Sequence, residues 1–479
     1  MIQQQIGLIG LAVMGENLAL NIERQGFSVA VYNRSREKTD AFMAKRAQDK
    51  NIQGTYSIAD FVNAVERPRK ILLMVQAGKP VDAVISQLQP LLEAGDTIID
   101  GGNSLYEETA RRSCDLENAG LKYIGMGVSG GEIGALLGPS LMPGGNKTAY
   151  EELAPILTKI AAQVADGACV TYLGLEGAGH YVKMVHNGIE YGDMQLIAEV
   201  YDLLKHALGF DHQQLHDIFN EWNITEELNS YLIEATADIF QRIDPETHHP
   251  IVELISDAAE QKGTGRWTVM SALELGIYLP TITAAVEVRS LSAAKQERVE
   301  TAKLLKTSIE PYDGDIPVLV NKIRDALYCS KICAYAQGMS LLKAASDRYN
   351  YAFNLSEIAR IWKGGCIIRA KLLESIQTAY QQNPDLPNLL VAPEFKQAIL
   401  DRQQAWREVV SVAAQVGIPT PALSASLHYF DGYRHDRLPQ NLTQAQRDYF
   451  GAHTYERVDK PGVFHTEWTP IDAASLQTS

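Results

Sequence analysis

The chain has 479 residues, 46% of them hydrophobic, so it can bury two or three domain cores and is neither disordered nor fibrous. Its net charge of −15 argues against nucleic acids and anionic membranes as partners. The chain has only five cysteines, no apolar signal region at its start and no run of about 18 apolar residues. These features predict a reduced, cytoplasmic protein without a membrane span.

The first predicted strand, residues 6–10, leads through a glycine-rich turn into a helix over residues 17–25. The turn has the form G-x-A-x-x-G, and the order strand, turn, helix is typical of dinucleotide-binding domains. Gly10 permits the tight turn, Ala12 lets the backbone approach a pyrophosphate, and Gly15 lets the helix pack on the strand. The cofactor-binding residues predicted here are Gly10, Leu11, Ala12, Val13, Met14 and Gly15.

The second predicted strand, residues 28–32, ends at Asn33-Arg34-Ser35, where an NAD enzyme carries an acidic residue. An arginine can hold a 2′-phosphate through two hydrogen bonds, so this segment favours NADP over NAD. The alternative is a surface turn in which the arginine is incidental.

Two further strands, residues 70–75 and 97–100, end in polar or glycine-rich loops. Ligands bind outside the carboxyl ends of the strands in open α/β sheets, so Val75-Gln76-Ala77 and Asn103 are expected to meet the cofactor. After a strand over residues 123–127, small residues are dense at Ser129-Gly130-Gly131 and again over residues 138–145. Such runs expose backbone N–H groups as an anion nest, which suits a carboxylate or a phosphate.

A predicted helix beginning at about residue 178 carries chemically capable residues at helical spacing. Lys183, His186, Asn187, Glu190 and Tyr191 share one face, which places a lysine two turns from a glutamate. These two groups can accept and donate protons at opposite ends of a small ligand. A solvated helix face is the alternative, but the apolar residues between them indicate a buried helix, where ionisable groups are rarely idle.

Helical patterns dominate after about residue 180, and they contain a duplication. Leu215-x-x-Ile218-x-x-x-Trp222 returns as Leu355-x-x-Ile358-x-x-x-Trp362, a shift of about 140 residues. At a shift of 139, Lys183 falls on Lys322. The other four residues of the stripe fall on side chains that cannot do the same chemistry, namely Asp325, Ala326, Cys329 and Ser330. The second copy is therefore interpreted as structural.

Two basic features in the first copy suit a phosphorylated substrate: Lys262, beside a glycine loop, and Arg289, although an ordinary ion pair would also explain Arg289. After about residue 433 the chain is predicted to be irregular and aromatic, as expected of a tail that docks on another subunit. No His, Cys or carboxylate spacing indicates a metal site. Three parts follow: a Rossmann-type domain over residues 1–177, a duplicated all-α domain over 178–433 and a tail over 434–479.

The motifs together closely resemble the family of decarboxylating, NADP-dependent 6-phosphogluconate dehydrogenases of the oxidative pentose phosphate pathway. The resemblance covers essentially the whole chain. Its most specific carriers are the residue 10–15 turn, Gly101-Gly102-Asn103-Ser104, residues 127–132, residues 180–191, residues 261–265 and residues 446–453. It implies a homodimer in which each tail completes the other subunit's site. Gln76 departs from the family, which commonly has lysine there, and so do Ile133 and Leu136, which replace an acidic and a basic residue.

The resemblance also implies roles for individual residues. Lys183 would be the general base and Glu190 the general acid, with no metal required. The substrate-binding residues would be Asn103, Ser129, Gly130, Gly131, His186, Asn187, Tyr191, Lys262, Arg289 and, from the other subunit, Arg447 and His453. Two alternatives stay open: a non-decarboxylating β-hydroxyacid dehydrogenase, and a catalytically silent NADP-binding sensor.

Overall fold

A computed structural model describes residues 3–306 and 309–468. A sheet of seven strands forms the N-terminal part, in the order β3-β2-β1-β4-β5-β6-β7, with the first six parallel and β7 antiparallel to β6. The strands are β1 (Ile6–Ile9), β2 (Val29–Tyr32), β3 (Ile52–Thr55), β4 (Lys70–Leu73), β5 (Thr97–Asp100), β6 (Lys122–Ser129) and β7 (Ser140–Gly145). This doubly wound order confirms the Rossmann-type prediction.

Helices cover both faces of this sheet, and two apolar clusters form its cores. The helices are α1 (Val13–Arg24), α2 (Arg36–Lys45), α3 (Ile58–Asn63), α4 (Lys79–Leu88), α5 (Tyr106–Asn118), α6 (Gly131–Leu137) and α7 (Lys147–Ile160). A short hairpin of β8 (Gln163–Val164) and β9 (Gly167–Ala168) follows. Sequence analysis missed β3, because its Ile-Gln-Gly-Thr sequence lacks the apolar run of a central strand and lies at the sheet edge.

The next part is helical, as predicted, with a π-helical turn at Leu203–Ala207. Its helices are α8 (Ala178–Asp202), α9 (His212–Ile224), α10 (Tyr231–Phe240), α11 (Ile251–Leu254), α12 (Thr264–Glu274), α13 (Pro280–Ala293), α14 (Lys295–Leu305), α15 (Ile316–Tyr349), α16 (Leu355–Ile361), α17 (Leu372–Gln382), α18 (Pro393–Val416) and α19 (Pro421–Tyr433). The duplicated motifs lie on corresponding helices, α9 and α16. Among the described helices, none is long and apolar enough to cross a membrane.

Glycines bring α8 directly against the sheet. A Cβ at Gly179 would lie 2.3 Å from the carbonyl oxygens of Gly125 and Met142, and one at Gly144 would lie 2.3 Å from the Gly179 nitrogen. This explains glycines in the 138–145 segment, which was wrongly interpreted as part of an anion nest. Residues 140–145 form the edge strand β7, and its glycines give α8 room to approach the backbone.

Residue contacts divide the chain into two compact units, the first ending at Leu427 and the second beginning at His428. The second unit contains α20 (Gln440–Gly451) and a hairpin of β10 (Tyr455–Glu456) and β11 (Val463–Phe464). The prediction of an irregular tail was therefore wrong. Asp448 organises this unit: its buried carboxylate accepts hydrogen bonds from the backbone of Thr454 and Thr466 and from the Trp468 indole, and it also bonds the His465 ring.

Candidate active site

The predicted stripe on α8 forms one connected group of side chains. The Asn187 amide donates to a Glu190 carboxylate oxygen at 3.2 Å, and the His186 Nδ1 lies 3.7 Å from the same oxygen. Lys183 and His186 are buried, whereas Glu190 keeps 17% of its side chain exposed. The stripe therefore lines a site that opens to solvent at its glutamate end.

The glycine at position 127 explains how the lysine reaches this place. A Cβ there would lie 2.4 Å from the Lys183 Cβ, so only glycine lets β6 run directly behind the lysine. At the end of β6, the Ser129 hydroxyl bonds the His186 Nε2 at 3.2 Å. Strand and helix thus place the predicted Ser-Gly-Gly turn beside the stripe.

Burial shifts the two ends of the stripe toward their neutral forms. It lowers the pKa of Lys183, although the charge of Glu190 opposes this shift. Burial likewise raises the pKa of Glu190 against the positive charges of Lys183 and Arg289. The pKa of His186 lies well below its ordinary value because of burial and, second, the charge of Lys183. A neutral amine and a protonated carboxyl are the forms that a general base and a general acid require.

The Ser129-Gly130-Gly131 turn meets a loop from the second copy of the repeat. Gly130 and Gly131 have φ of +114° and +60°, and a Cβ at Gly130 would lie 2.7 Å from the Gly365 carbonyl oxygen. Just before that loop, the Trp362 ring packs edge-on against His186, with centroids 5.7 Å apart. Sequence analysis missed this wall, because it interpreted the second copy as structural. The recurrence of Trp222 as Trp362 was the available signal, but it could not show which copy faces the site.

The predicted cofactor segments meet at the carboxyl edge of the sheet. A Cβ at Gly10, where φ is +105°, would lie 2.3 Å from the Met74 carbonyl oxygen, and one at Gly15 would lie 1.8 Å from the Gly10 carbonyl oxygen. The Asn33 side chain accepts a hydrogen bond from the Leu11 N–H at 3.0 Å, which joins the first two cofactor segments. This close-packed turn is the geometry that a dinucleotide pyrophosphate needs.

The remaining predicted cofactor residues lie on the same edge. Arg34, Gln76 and Asn103 have exposed side chains after β2, β4 and β5, respectively. Sequence analysis assigned no role to Asp100 at the end of β5. Its buried carboxylate accepts hydrogen bonds from the Gly102 N–H at 3.0 Å and the Ser104 hydroxyl at 2.6 Å, and so shapes the loop that carries Asn103.

Arg289 lies near the glutamate end of the stripe. The Arg289 guanidinium stacks over the Tyr191 ring at 4.5 Å and donates to the Glu260 carbonyl oxygen at 2.8 Å; among the described residues it forms no ion pair, which was the alternative for it. A Cβ at Gly265 would lie 2.7 Å from the Tyr191 ring, so the first turn of α12, just after Lys262, packs on the same tyrosine. Arg289, Tyr191 and this helix start can together hold an anionic group.

Arg447 and His453 belong to the second unit. The Arg447 guanidinium donates to Gln444 within α20, and the His453 ring packs edge-on against Phe450. Both side chains are exposed. Burial opposes ionisation of Asp448, but hydrogen bonds from His465, the Thr466 backbone and Trp468 lower its pKa to about 2. The Asp448 carboxylate therefore stays ionised.

Comparison with known proteins covers nearly the whole chain. Residues 5–174 match a family described as the NAD binding domain of 6-phosphogluconate dehydrogenase, and residues 179–468 match its C-terminal domain. A decarboxylating 6-phosphogluconate dehydrogenase of Synechococcus elongatus is 66% identical over 97% of this chain and 99% of the relative. One from Synechocystis is 64% identical over 98% of each. A solved Plasmodium falciparum 6-phosphogluconate dehydrogenase, studied with NADP+ and with 6-phosphogluconate, is 46% identical, with a TM-score of 0.93 over 97% of this chain and 100% of that one.

Proposed function

Because the chain belongs to the family of decarboxylating 6-phosphogluconate dehydrogenases, we propose that the α8 stripe is the centre where its reaction takes place. The protein is an oxidoreductase of the pentose phosphate pathway, and NADP is its cofactor. It converts 6-phosphogluconate to ribulose 5-phosphate and carbon dioxide. The assignment of this centre rests on one observation: buried Lys183 and half-buried Glu190 lie on the same face of α8.

Lys183 is the general base of this proposal. Its amine takes the proton of the substrate C3 hydroxyl as that carbon is oxidised, and it must start neutral to do so. Burial lowers its pKa and favours the neutral form. The resulting 3-keto acid loses carbon dioxide as electrons move into the carbonyl, and the protonated amine stabilises the oxygen that becomes negative.

Glu190 is the general acid of this proposal. It protonates C1 of the enediolate that remains, whose oxygen beside Lys183 returns to a carbonyl, and this yields ribulose 5-phosphate. Burial raises its pKa and favours the protonated form that this step requires. His186, Asn187, Ser129, Gly130, Gly131 and Asn103 hold the carboxylate and hydroxyl groups of the substrate, and Tyr191, Lys262 and Arg289 hold its phosphate.

The residue 10–15 turn holds the cofactor pyrophosphate, and Asn33, Arg34 and Ser35 hold the 2′-phosphate. Val75, Gln76, Ala77 and Asn103 line the rest of the cofactor site. The missing space for a Cβ at Gly10 and Gly15 supports this assignment, since a close backbone approach is what a pyrophosphate needs. NADP bound there supplies the hydride acceptor.

The proposal includes a homodimer in which Arg447 and His453 complete the partner's site. The support is the second unit itself: a separate compact element that presents both side chains at its surface, with Tyr449 and Phe450 exposed beside them. A cytoplasmic setting is also part of the proposal, supported by five free cysteines.

The test follows NADPH formation and carbon dioxide release from 6-phosphogluconate for the intact protein and for Lys183→Ala. Equal amounts of both products and a strong preference for NADP over NAD are expected, and Lys183→Ala should lower turnover by about 10³-fold or more. Lys322→Ala is the matched control, because this lysine on α15 pairs with Glu408 away from the stripe. Reduction without carbon dioxide would indicate the simpler dehydrogenase, and NADP binding without turnover would indicate a sensor.

Mixing variants tests the shared site. In a heterodimer of Lys183→Ala and Arg447→Ala subunits, one site carries both changes and the other carries neither. Subunit exchange should therefore restore part of the turnover that each variant lacks alone. No recovery in a mixture shown to contain heterodimers would contradict a tail that acts on the partner.

A further inference from the structure

A buried ion pair joins the two long helices next to the stripe. The Lys331 Nζ on α15 lies 2.5 and 2.7 Å from the two carboxylate oxygens of Asp193 on α8. Each side chain is only 1% exposed. The helices approach closely here, since a Cβ at Gly338 would lie 2.5 Å from the Ile189 side chain and one at Gly192 would lie 3.5 Å from the Ala334 Cβ.

Asp193 follows Glu190 by three residues, so the two carboxyls lie on adjacent turns of one helix face. Other charged or titratable groups also act on Glu190: Lys183 and His186 from α8, Arg289 from α13, and Cys366 from the loop after α16. From α15, Lys331 binds Asp193 directly and Tyr335 lies within the field of Asp193. Asp193 is the carboxylate nearest to Glu190 in the sequence, and Lys331 is the cation in direct contact with Asp193.

We propose that Lys331 is a positioning residue of the reaction, which balances the charge of Asp193 so that Glu190 and Lys183 work beside an ion pair with no net charge. The inference rests on the proposed roles of those two residues. It also assigns the second copy an electrostatic part in the chemistry, because Lys331 belongs to that copy.

The Coulomb interaction predicts opposite effects for the two members of the pair. Without Lys331, the bare Asp193 carboxylate disfavours a second negative charge, so the pKa of Glu190 rises. Without the Asp193 charge, the Lys331 ammonium stabilises the Glu190 carboxylate and its pKa falls. At an effective dielectric constant near 20 and a separation of about 7 Å, each change amounts to roughly one to two pKa units.

The experiment compares Lys331→Met, Asp193→Asn and the double variant in the full-length protein. The pKa of Glu190 is measured directly by ¹³C NMR of labelled glutamate carboxyls, with the Glu190 signal assigned by its loss in Glu190→Gln. We expect a rise of about one to two units in Lys331→Met, a fall of similar size in Asp193→Asn and a value near that of the unchanged protein in the double variant.

A merely structural role gives a different pattern. Both single variants would then lose thermal stability while the Glu190 signal titrates as before, and that result would overturn the proposal. Shifts of the same sign in both variants would overturn it as well. If either single variant fails to fold, the double variant and the remaining single variant still decide the sign.

The pH dependence of turnover, recorded for the same proteins, separates this inference from the proposed function. Opposite NMR shifts that are mirrored in the pH profile of kcat support both. Opposite NMR shifts with an unmoved pH profile keep the electrostatic inference and reject Glu190 as the acid that limits turnover.

Discussion

The helices α8 and α15 occupy equivalent places in the two copies, but one of them carries the site and the other does not. Glu199 and Gln337 each accept hydrogen bonds from the start of another helix, and this shared role relates the two helices by an offset of 138 residues, at which Lys331 is the counterpart of Asp193. At this offset the stripe of α8 falls on Asn321, Arg324, Asp325, Tyr328 and Cys329. The offset of 139 used in the sequence comparison was therefore wrong by one residue within these helices.

The α15 residues at these places make structural contacts. Arg324 and Arg402 both pair with Asp325, and the Arg402 guanidinium lies over the Tyr328 ring at 5.5 Å. Cys329 is fully buried. Packing roles thus persist in both copies, whereas α8 is the helix that packs against the nucleotide-binding sheet.

The largest expected difference between the helices concerns turnover. Glu190→Gln should lower kcat by about 10² to 10⁴-fold, since an amide cannot supply a proton. Tyr328→Phe, at the equivalent place on α15, should leave kcat unchanged within about twofold. Steady-state NADPH formation measures both, and equal losses in the two variants would contradict the division of roles between the helices.

The second difference concerns packing. Gly179→Ala places a methyl group against backbone carbonyl oxygens that cannot move aside, so it should reduce the free energy of unfolding by about 3 kcal/mol. Gly338→Ala on α15 meets side chains and not backbone, with Ile189 at 2.5 Å and Val185 at 3.5 Å, and side chains can shift further than backbone, so a smaller loss of about 1 kcal/mol is expected. Urea titration gives both values. A larger loss for Gly338→Ala would show that the helix pair, and not the helix–sheet contact, is the tighter of the two.

The smallest expected difference depends on pH. Burial raises the pKa of Glu199 to about 7, although hydrogen bonds from the Leu423 and Ala422 N–H groups oppose the shift. A raised pKa stabilises the fold most below the ordinary carboxyl value of about 4.5, and that stabilisation is lost as the pH rises through about 7. Glu199→Gln should remove this dependence, and Gln337→Glu should introduce a second one.

Unfolding free energies measured at pH 5 and pH 8 check this prediction. The difference between the two pH values should shrink by about 1 to 2 kcal/mol in Glu199→Gln, and it should grow in Gln337→Glu. An unchanged difference in Glu199→Gln would mean that Glu199 ionises in the folded protein as readily as an exposed carboxyl.

Much of the site could be predicted from the sequence because it depends on local patterns. The Gly10 turn, the Ser129 turn and the stripe around Lys183 each lie within a dozen residues, and each has a spacing with one physical interpretation. The packing of Trp362 against His186 and the ion pair of Lys331 with Asp193 could not be found in this way. They depend on contacts between residues far apart in the chain, which no local period records.

The tail contains regular structure that the local pattern did not predict. The chain was predicted to be irregular after about residue 433, a stretch that includes Pro439. Residues 440–451 nevertheless form α20, whose Asp448 carboxylate binds groups up to twenty residues further along the chain. The hydrogen bonds of a single buried carboxylate replace the apolar core that the pattern lacks.

Hydrogen bonds from each copy to a helix start of the other copy join the two copies within the first compact unit. Glu199 of the first copy binds the N–H groups that open α19 in the second, and Gln337 of the second copy binds the Thr281 N–H that opens α13 in the first. The two helix starts also meet through the Thr281 and Ser426 hydroxyls. Either copy expressed alone would leave the first turn of α13 or of α19 without its buried partner. The two copies are thus interlocked, and we expect them to unfold in a single transition.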